Sequence, residues 1–153
     1  MHIYTVSFTE VTVSALQDLV QMLASSTVPI RIYSVKIGQT SDAGDAEAEL
    51  LPVQLSRSDM TINGSGGSSA TPAKHSPGSS AAATVCEINN TTQSTVTTVI
   101  VSDVFNVQAG WVYLPPPEER ITILPTEGFI VELLVAPDDS LTMSGSVTFE
   151  EIK

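Results

Sequence analysis

The chain has few basic residues, and this scarcity limits the partners that it can bind. Six Lys and Arg residues face seventeen Asp and Glu residues among 153, which gives a formal net charge of −11. Nucleic acids and anionic membranes are bound by clustered Lys and Arg side chains. The basic residues here are scattered, so we expect neither a nucleic acid nor a membrane as a partner; they are Arg31, Lys36, Arg57, Lys74, Arg120 and Lys153.

Cysteines and long apolar runs are also scarce. Cys86 is the single cysteine, which excludes an intrachain disulfide framework, and we expect it to be a small apolar residue in a strand. No run reaches the roughly 18 apolar residues of a membrane-spanning helix. Residues 1–8 alternate in polarity, unlike a secretory signal peptide. The length of 153 residues favours one domain over residues 1–153.

Short stretches of alternating polarity dominate the chain. Apolar and polar side chains alternate over residues 4–8 and again over 141–149, with Gly, Pro and Asp at the joints between such stretches. A period of two is that of a half-buried strand. The phase slips at Glu10, which predicts a bulge or a change of sheet. Eight or nine such stretches predict an all-β fold, a jelly-roll-like antiparallel β-sandwich.

One short helix near the N-terminus is predicted to interrupt this pattern. Ser14 and Gln17 have the spacing of a capping box. The apolar residues that follow recur at helical spacing, and they are Leu16, Leu19, Val20 and Leu23. We therefore expect a helix over residues 15–24, with an irregular extended segment as the alternative.

A long Gly/Ser-rich loop is predicted over residues 58–83. It contains Asn-Gly-Ser-Gly-Gly-Ser-Ser at 63–69 and Ser-Pro-Gly-Ser-Ser at 76–80. Such a composition is flexible in isolation, and loops of this length are usually functional or disordered. We expect a neighbouring subunit to hold the loop in place.

Four hydrophobic residues are the candidate interface residues. Residues 129–135 are apolar on both faces except at Glu132, so this strand is either central between two layers or covered by a partner. Its candidates are Phe129 and Val131. Trp111 and Tyr113 share one face of a short strand, where aromatic rings can anchor an interface, stack on a sugar or lie in the core.

Nothing in the sequence has the spacing of a catalytic or metal site. His2 and His75 have no nearby nucleophile with an acid, and adjacent acidic pairs such as 118–119 and 138–139 are more often turn residues. Four carboxylates lie within residues 42–49 but do not fit the EF-hand pattern, and cation binding there stays open; they are Asp42, Asp45, Glu47 and Glu49. We expect no catalytic residues, no cofactor, no metal and no enzymatic activity.

The C-terminal third resembles a group of small virion proteins encoded among the structural genes of tailed bacteriophages. The resemblance rests on Trp-Val-Tyr-Leu-Pro-Pro-Pro-Glu-Glu-Arg at 111–120, Glu-Gly-Phe-Ile-Val-Glu-Leu at 127–133, and residues 136–145 and 149–151. Residues 4–8, 17–19 and 38–39 fit the same pattern. The match covers most of the chain apart from the segment after Ser58.

The resemblance implies a β-sandwich capsid decoration, or cement, protein on the outer surface of the virion, made in the host cytoplasm. Its implied partners are the major capsid protein and further copies of itself, with a trimer favoured. We expect the long loop and an N-terminal strand that is free to pair with a neighbour to supply interface area. The alternatives are a tail- or head-fibre-associated minor virion protein and a carbohydrate-binding β-sandwich module.

Overall fold

The computed structural model describes residues 2–41, 49–58 and 64–153, and strands dominate this part of the chain. One 3₁₀ turn, Pro117–Glu119, is also present. The strands are β1 (His2–Val13), β2 (Gln17–Leu23), β3 (Ile30–Gln39), β4 (Leu50–Ser58), β5 (Ser68–Ala70), β6 (Ala73–Lys74), β7 (Val85–Asn90), β8 (Val96–Asn106), β9 (Trp111–Tyr113), β10 (Thr122–Ile123), β11 (Gly128–Leu133) and β12 (Leu141–Glu151).

The strands form two antiparallel sheets with jelly-roll connectivity. Sheet A has the order β10-β3-β12-β1-β6, with β9 also paired to β3, and sheet B has the order β5-β7-β2-β11-β4-β8. Strands β1 to β4 alternate between the sheets, and β4 and β8 are neighbours in sheet B. The chain then passes to β9 and β10 in sheet A, to β11 in sheet B and back to β12 in sheet A. Within the two six-stranded sheets, β10-β3-β12-β1 and β2-β11-β4-β8 are the two four-stranded sets of a jelly roll, so the predicted fold class is confirmed.

The inner faces of the two sheets enclose one hydrophobic core. Tyr4 and Phe149 stack there with ring centroids 5.6 Å apart. Both belong to the alternating stretches that predicted strands β1 and β12, and the two residues are directly opposite each other in the ladder. The predicted slip at Glu10 is also present, because the register between β1 and β12 shifts between Phe8 and Val11 and Glu10 has a φ of 52°.

The predicted helix over residues 15–24 is wrong. Residues Gln17–Leu23 form β2, which pairs with β7 on one side and with β11 on the other. Six of its seven residues are buried. A strand that is covered on both faces carries apolar residues at any spacing, so helical spacing does not distinguish the two states in a run this short. Tertiary pairing therefore overrode the local signal.

The predicted loop over residues 58–83 is partly ordered by its own chain. The segment belongs to the connection between β4 and β8, of which residues 59–63 lie outside the described part. β5 pairs with β7 in sheet B, and β6 pairs with β1 in sheet A through Tyr4 and Thr5. These pairings hold the described residues of the loop without a neighbouring subunit, and they occupy part of the β1 edge that we expected to be free.

Candidate binding surface

Phe129 and Val131 are buried inside the chain. They lie on the inner face of β11, between β2 and β4, and neither is exposed at all. The apolar pattern of this strand is therefore explained by a central position, the first of the two options that the sequence left open. In the single chain these two side chains are part of the core and offer no surface to a partner.

Trp111 and Tyr113 are engaged within the chain as well. Their rings stack with centroids 6.2 Å apart, and Trp111 is buried. The Trp111 indole Nε1–H donates to Asp103 Oδ2 at 3.0 Å, and the Tyr113 hydroxyl donates to the backbone oxygen of Glu119 at 3.3 Å. An exposed pair of rings, which a sugar-stacking platform requires, is not formed by these two residues.

Strand β8 leaves one edge of sheet B open. It pairs with β4 on one side, and among the described residues no strand pairs with its other side. Two register shifts interrupt the first half of the ladder, whereas Val101 to Asn106 pair regularly with Leu55 to Leu50. An open edge presents unpaired backbone N–H and C=O groups that can pair with another strand. Residues 101–106 are the regular part of this edge. Two of its backbone groups are already engaged within the chain, because the Val104 N–H donates to Asp103 Oδ1 at 2.8 Å and the Asn106 oxygen accepts from Ala109 and Gly110.

Exposed apolar side chains lie next to this edge on the outer face of sheet B, and we call them the β8 strip. Val104 is opposite Pro52 in the ladder, and the Leu134 backbone N–H donates to the Pro52 oxygen at 3.2 Å. The exposed members of the strip are Leu50, Val99, Val104 and Leu134, of which Val104 is 55% exposed. Pro52 is half-buried.

The β8 edge has some of the features that protect open edges and lacks others. The register shifts in its first half and the inward-facing Asp103 are protective features. Lys and Pro are common protective residues, and residues 96–106 contain neither. Asp103 is the single ionisable residue of β8. It is opposite the buried Val53 in the ladder, on the face of the sheet that packs against the core. Its carboxylate accepts a hydrogen bond from the Trp111 indole N–H. That bond lowers the pKa of Asp103, and the outer side of the strand is left without an ionised group.

The other half of the outer face of sheet B is covered and polar. Asp18 on β2 is directly opposite Glu132 on β11, and both are buried. Residues 91–95, which connect β7 to β8, cover them. Ser94 donates its backbone N–H to Asp18 Oδ2 at 2.7 Å, and the Gln93 amide donates to Glu132 Oε2 at 3.4 Å and to the Leu133 oxygen at 3.1 Å.

Burial raises the pKa of both carboxyl groups. For Asp18, the hydrogen bond from the Ser94 backbone N–H opposes the effect of burial without cancelling it. For Glu132, the bond from the Ser56 hydroxyl, 3.0 Å long, opposes it, whereas the nearby Asp18 raises the pKa further. Spacing in the sequence does not reveal this pair, because 114 residues separate positions that the sheet places side by side.

The other acidic candidates do not come together. Residues 42–48 lie outside the described part, and Glu49 accepts the Asp138 backbone N–H at 2.7 Å. His75 Nε2 is 2.7 Å from Thr5 Oγ1. Within residues 2–41, 49–58 and 64–153, no group of three His, Cys, Asp or Glu side chains is arranged to hold a metal ion. The same residues include no helix of the length and apolarity that crossing a bilayer requires.

Comparison with protein-family models, with curated proteins and with solved structures gave no significant match to this chain.

Proposed function

We propose that this chain is a structural, non-enzymatic virion protein that decorates the outside of a bacteriophage capsid and stabilises contacts between capsomers. The observation that carries the proposal is the open β8 edge beside the β8 strip. This surface can add a strand from a partner and bury apolar side chains in the same contact. The resemblance of residues 111–151 to phage virion proteins supports the same role, with the major capsid protein as the partner.

The chemistry of the surface suits attachment to a protein shell. Backbone hydrogen bonds along residues 101–105 would supply register, and the Asp103 side chain would have to release the Val104 N–H for a partner strand to use it. The β8 strip would supply hydrophobic burial. Fully burying a Val or Leu side chain contributes ~1.5–3 kcal/mol, and ordering the contact offsets much of this gain. One such contact is therefore weak, so we further propose that the protein binds as a homo-oligomer, with a trimer favoured, whose linked contacts add avidity.

The distribution of charge is consistent with this arrangement. The chain carries a net charge of −11, but residues 96–106 contribute one carboxylate that is engaged by Trp111. Like charges placed opposite each other weaken an interface. A β8 edge that is almost free of charge can approach another protein surface without this repulsion, while the acidic remainder of the chain stays in solvent.

Two measurements test the proposal. Quantitative mass spectrometry of purified particles should find this chain in a simple ratio to the major capsid protein, at hundreds of copies. A few copies would place it at the tail or a vertex, and its absence from the particle would overturn the virion role.

A matched pair of variants tests the surface. Val104→Lys should lower the affinity for undecorated shells at least tenfold, because it places a charge in the β8 strip. Val85→Lys is the control, since Val85 is 54% exposed on β7 at the far side of the same sheet. Equal affinity of the two variants, with equal folding by circular dichroism, would exclude the β8 surface as the attachment site.

A further inference from the structure

The two buried carboxyl groups on sheet B, Asp18 and Glu132, would carry adjacent negative charges if both were ionised. Asp18 is not exposed at all, and Glu132 is 4% exposed. Each is directly opposite the other in the β2–β11 ladder. Two adjacent carboxylates that are both buried and both ionised repel each other and lose their hydration, so one of them is normally neutral.

No basic side chain neutralises the pair in the described part of the chain. The ion pairs found there are Arg57–Glu127 and Lys153–Glu151. The neighbouring strand β7 contributes a further acid, Glu87, whose carboxylate accepts the Asn90 amide at 3.0 Å. Strand β4 and the covering residues contribute uncharged side chains, which are Gln54, Ser56, Gln93 and Ser94.

The hydrogen bonding of the pair leaves one carboxylate oxygen and one hydroxyl unsatisfied. Asp18 Oδ1 and Ser94 Oγ are both buried, and neither has a hydrogen-bond partner among the described residues. Asp18 Oδ2 and Glu132 Oε1, by contrast, accept bonds from the Ser94 backbone and the Ser56 hydroxyl. An unsatisfied buried acceptor costs ~1–3 kcal/mol. A proton on Asp18 would give that carboxyl group an O–H that the Ser94 hydroxyl oxygen can accept, and it would remove the repulsion at the same time.

We propose that Asp18 and Glu132 share a proton and act as a pH-dependent latch that holds residues 93–95 on the outer face of sheet B, next to Thr92, whose backbone is bonded to Ser65. With the proton bound, the pair stays buried beneath Gln93 and Ser94. When the proton is lost, the two charges repel each other and the covering segment opens to admit water. Opening would uncover the half of the outer face that adjoins the β8 strip.

The direction of the pH dependence follows from the raised pKa values of both carboxyl groups. The closed form binds more protons than an open form in which both groups are hydrated. The latch is therefore most stable below the ordinary carboxyl pKa, near 4, and it loses stability as the pH rises through the raised values. Above the raised pKa values, the equilibrium constant for closing the latch falls by a factor that approaches ten per pH unit, because opening releases one proton.

Amide hydrogen exchange between pH 5 and 9 tests the latch. Protection factors for residues 93–95, corrected for the intrinsic exchange rate, should fall steeply with pH in the native chain, while those of Val147 in the core strand β12 stay constant. In the D18N/E132Q chain, which keeps the shapes and loses both charges, protection should be high and independent of pH. The single variant D18N should show a weaker dependence than the native chain.

Three results would overturn the latch. Equal pH dependence in the native and D18N/E132Q chains would show that other groups control the segment. A parallel fall at Val147 would indicate global unfolding. Protection that persists to pH 9 in the native chain, and that disappears on adding a chelator, would mean that a bound cation neutralises the pair instead. Glu118→Gln, an exposed substitution in the 3₁₀ turn that removes one carboxylate as D18N does, is the control for that variant and should behave as the native chain.

Discussion

Trp111 on β9 donates its indole N–H to Asp103 on β8 across 3.0 Å, and this bond joins the edge of sheet A to the edge of sheet B. It has two consequences. The tryptophan ring is held in the chain instead of being presented to a ligand, and the carboxylate is held away from the outer side of β8. The same contact therefore weakens the carbohydrate-binding hypothesis and leaves the β8 edge almost free of charge.

The first prediction concerns acid titration of this bond. The bond from Trp111 lowers the pKa of Asp103, so its contribution is present above the ordinary value of 3.8 and is lost as the pH falls through the lowered pKa. Because Trp111 is the single tryptophan, intrinsic fluorescence reports on it directly. We expect a fluorescence change below about pH 4 that is absent in Asp103→Asn. An unchanged acid transition in that variant would assign the change to another group.

The second prediction concerns two glycines in adjacent strands. A Cβ at Gly145 would lie 2.5 Å from the Lys36 oxygen and 2.6 Å from Phe8 Cζ, whereas a Cβ at Gly38 would meet nothing within 4 Å. Gly145→Ala should lower the free energy of unfolding by about 1–3 kcal/mol through overpacking, and Gly38→Ala should have little effect. Urea denaturation measures both. Equal stability of the two variants would contradict the packing around Gly145.

The third prediction concerns Glu151, which ties the C-terminal strand to the end of the long connection. Its Oε1 accepts the backbone N–H groups of Ala83 and Thr84 and the Thr84 hydroxyl, at 2.6, 2.9 and 2.9 Å, and Lys153 Nζ is 2.8 Å from Oε2. Burial would raise the pKa of Glu151, but these bonds outweigh burial and lower it. The stabilisation is thus present above the ordinary value of 4.5 and decreases as the pH falls.

Glu151→Gln should therefore destabilise the fold by about 1–2 kcal/mol at pH 7, because bonds to a charged acceptor are stronger than bonds to a neutral one. The difference should shrink in acid. Thermal unfolding at pH 7 and pH 4 measures it, with Glu118→Gln as the exposed control. A constant difference at both pH values would argue against ionised Glu151 as the cause.

The fourth prediction concerns the reactivity of Cys86. Burial, with a smaller effect of Glu151, raises the pKa of this thiol to about 12. The thiolate is the reactive species, so the folded protein should react with a disulfide reagent at pH 8 far more slowly than the chain in urea. Rapid modification under native conditions would show that β7 opens readily.

A deletion of residues 62–80 would not isolate the contribution of the long loop to contacts with a neighbour. The deletion removes β5 and β6, which pair with β7 and β1 of the same chain. We expect it to destabilise the sandwich as well as to alter any contact with a neighbour. Single substitutions in the β8 strip are the cleaner test of attachment.

Local patterns predicted the strands well and the partners of those strands poorly. Alternation at Tyr4 and Phe149 identified two strands, and the phase slip at Glu10 identified a register shift. The helical spacing over residues 15–24 failed because β2 is covered on both faces, where spacing carries no information. The candidate interface residues Phe129 and Val131 were apolar for the same reason, and their central position accounts for the pattern.

The sequence by itself determined the class of the protein. Its period of two, frequent turn residues and excess of carboxylates specify an acidic all-β chain, because these properties depend on neighbours along the chain. Only the tertiary structure decided which surfaces are available. The exposure of Val104 and the pairing of Asp18 with Glu132 depend on strand order, which joins residues far apart in sequence. Whether a strand lies at the edge or the centre of a sheet, and whether its side chains are buried or exposed, depends on how the sheets assemble.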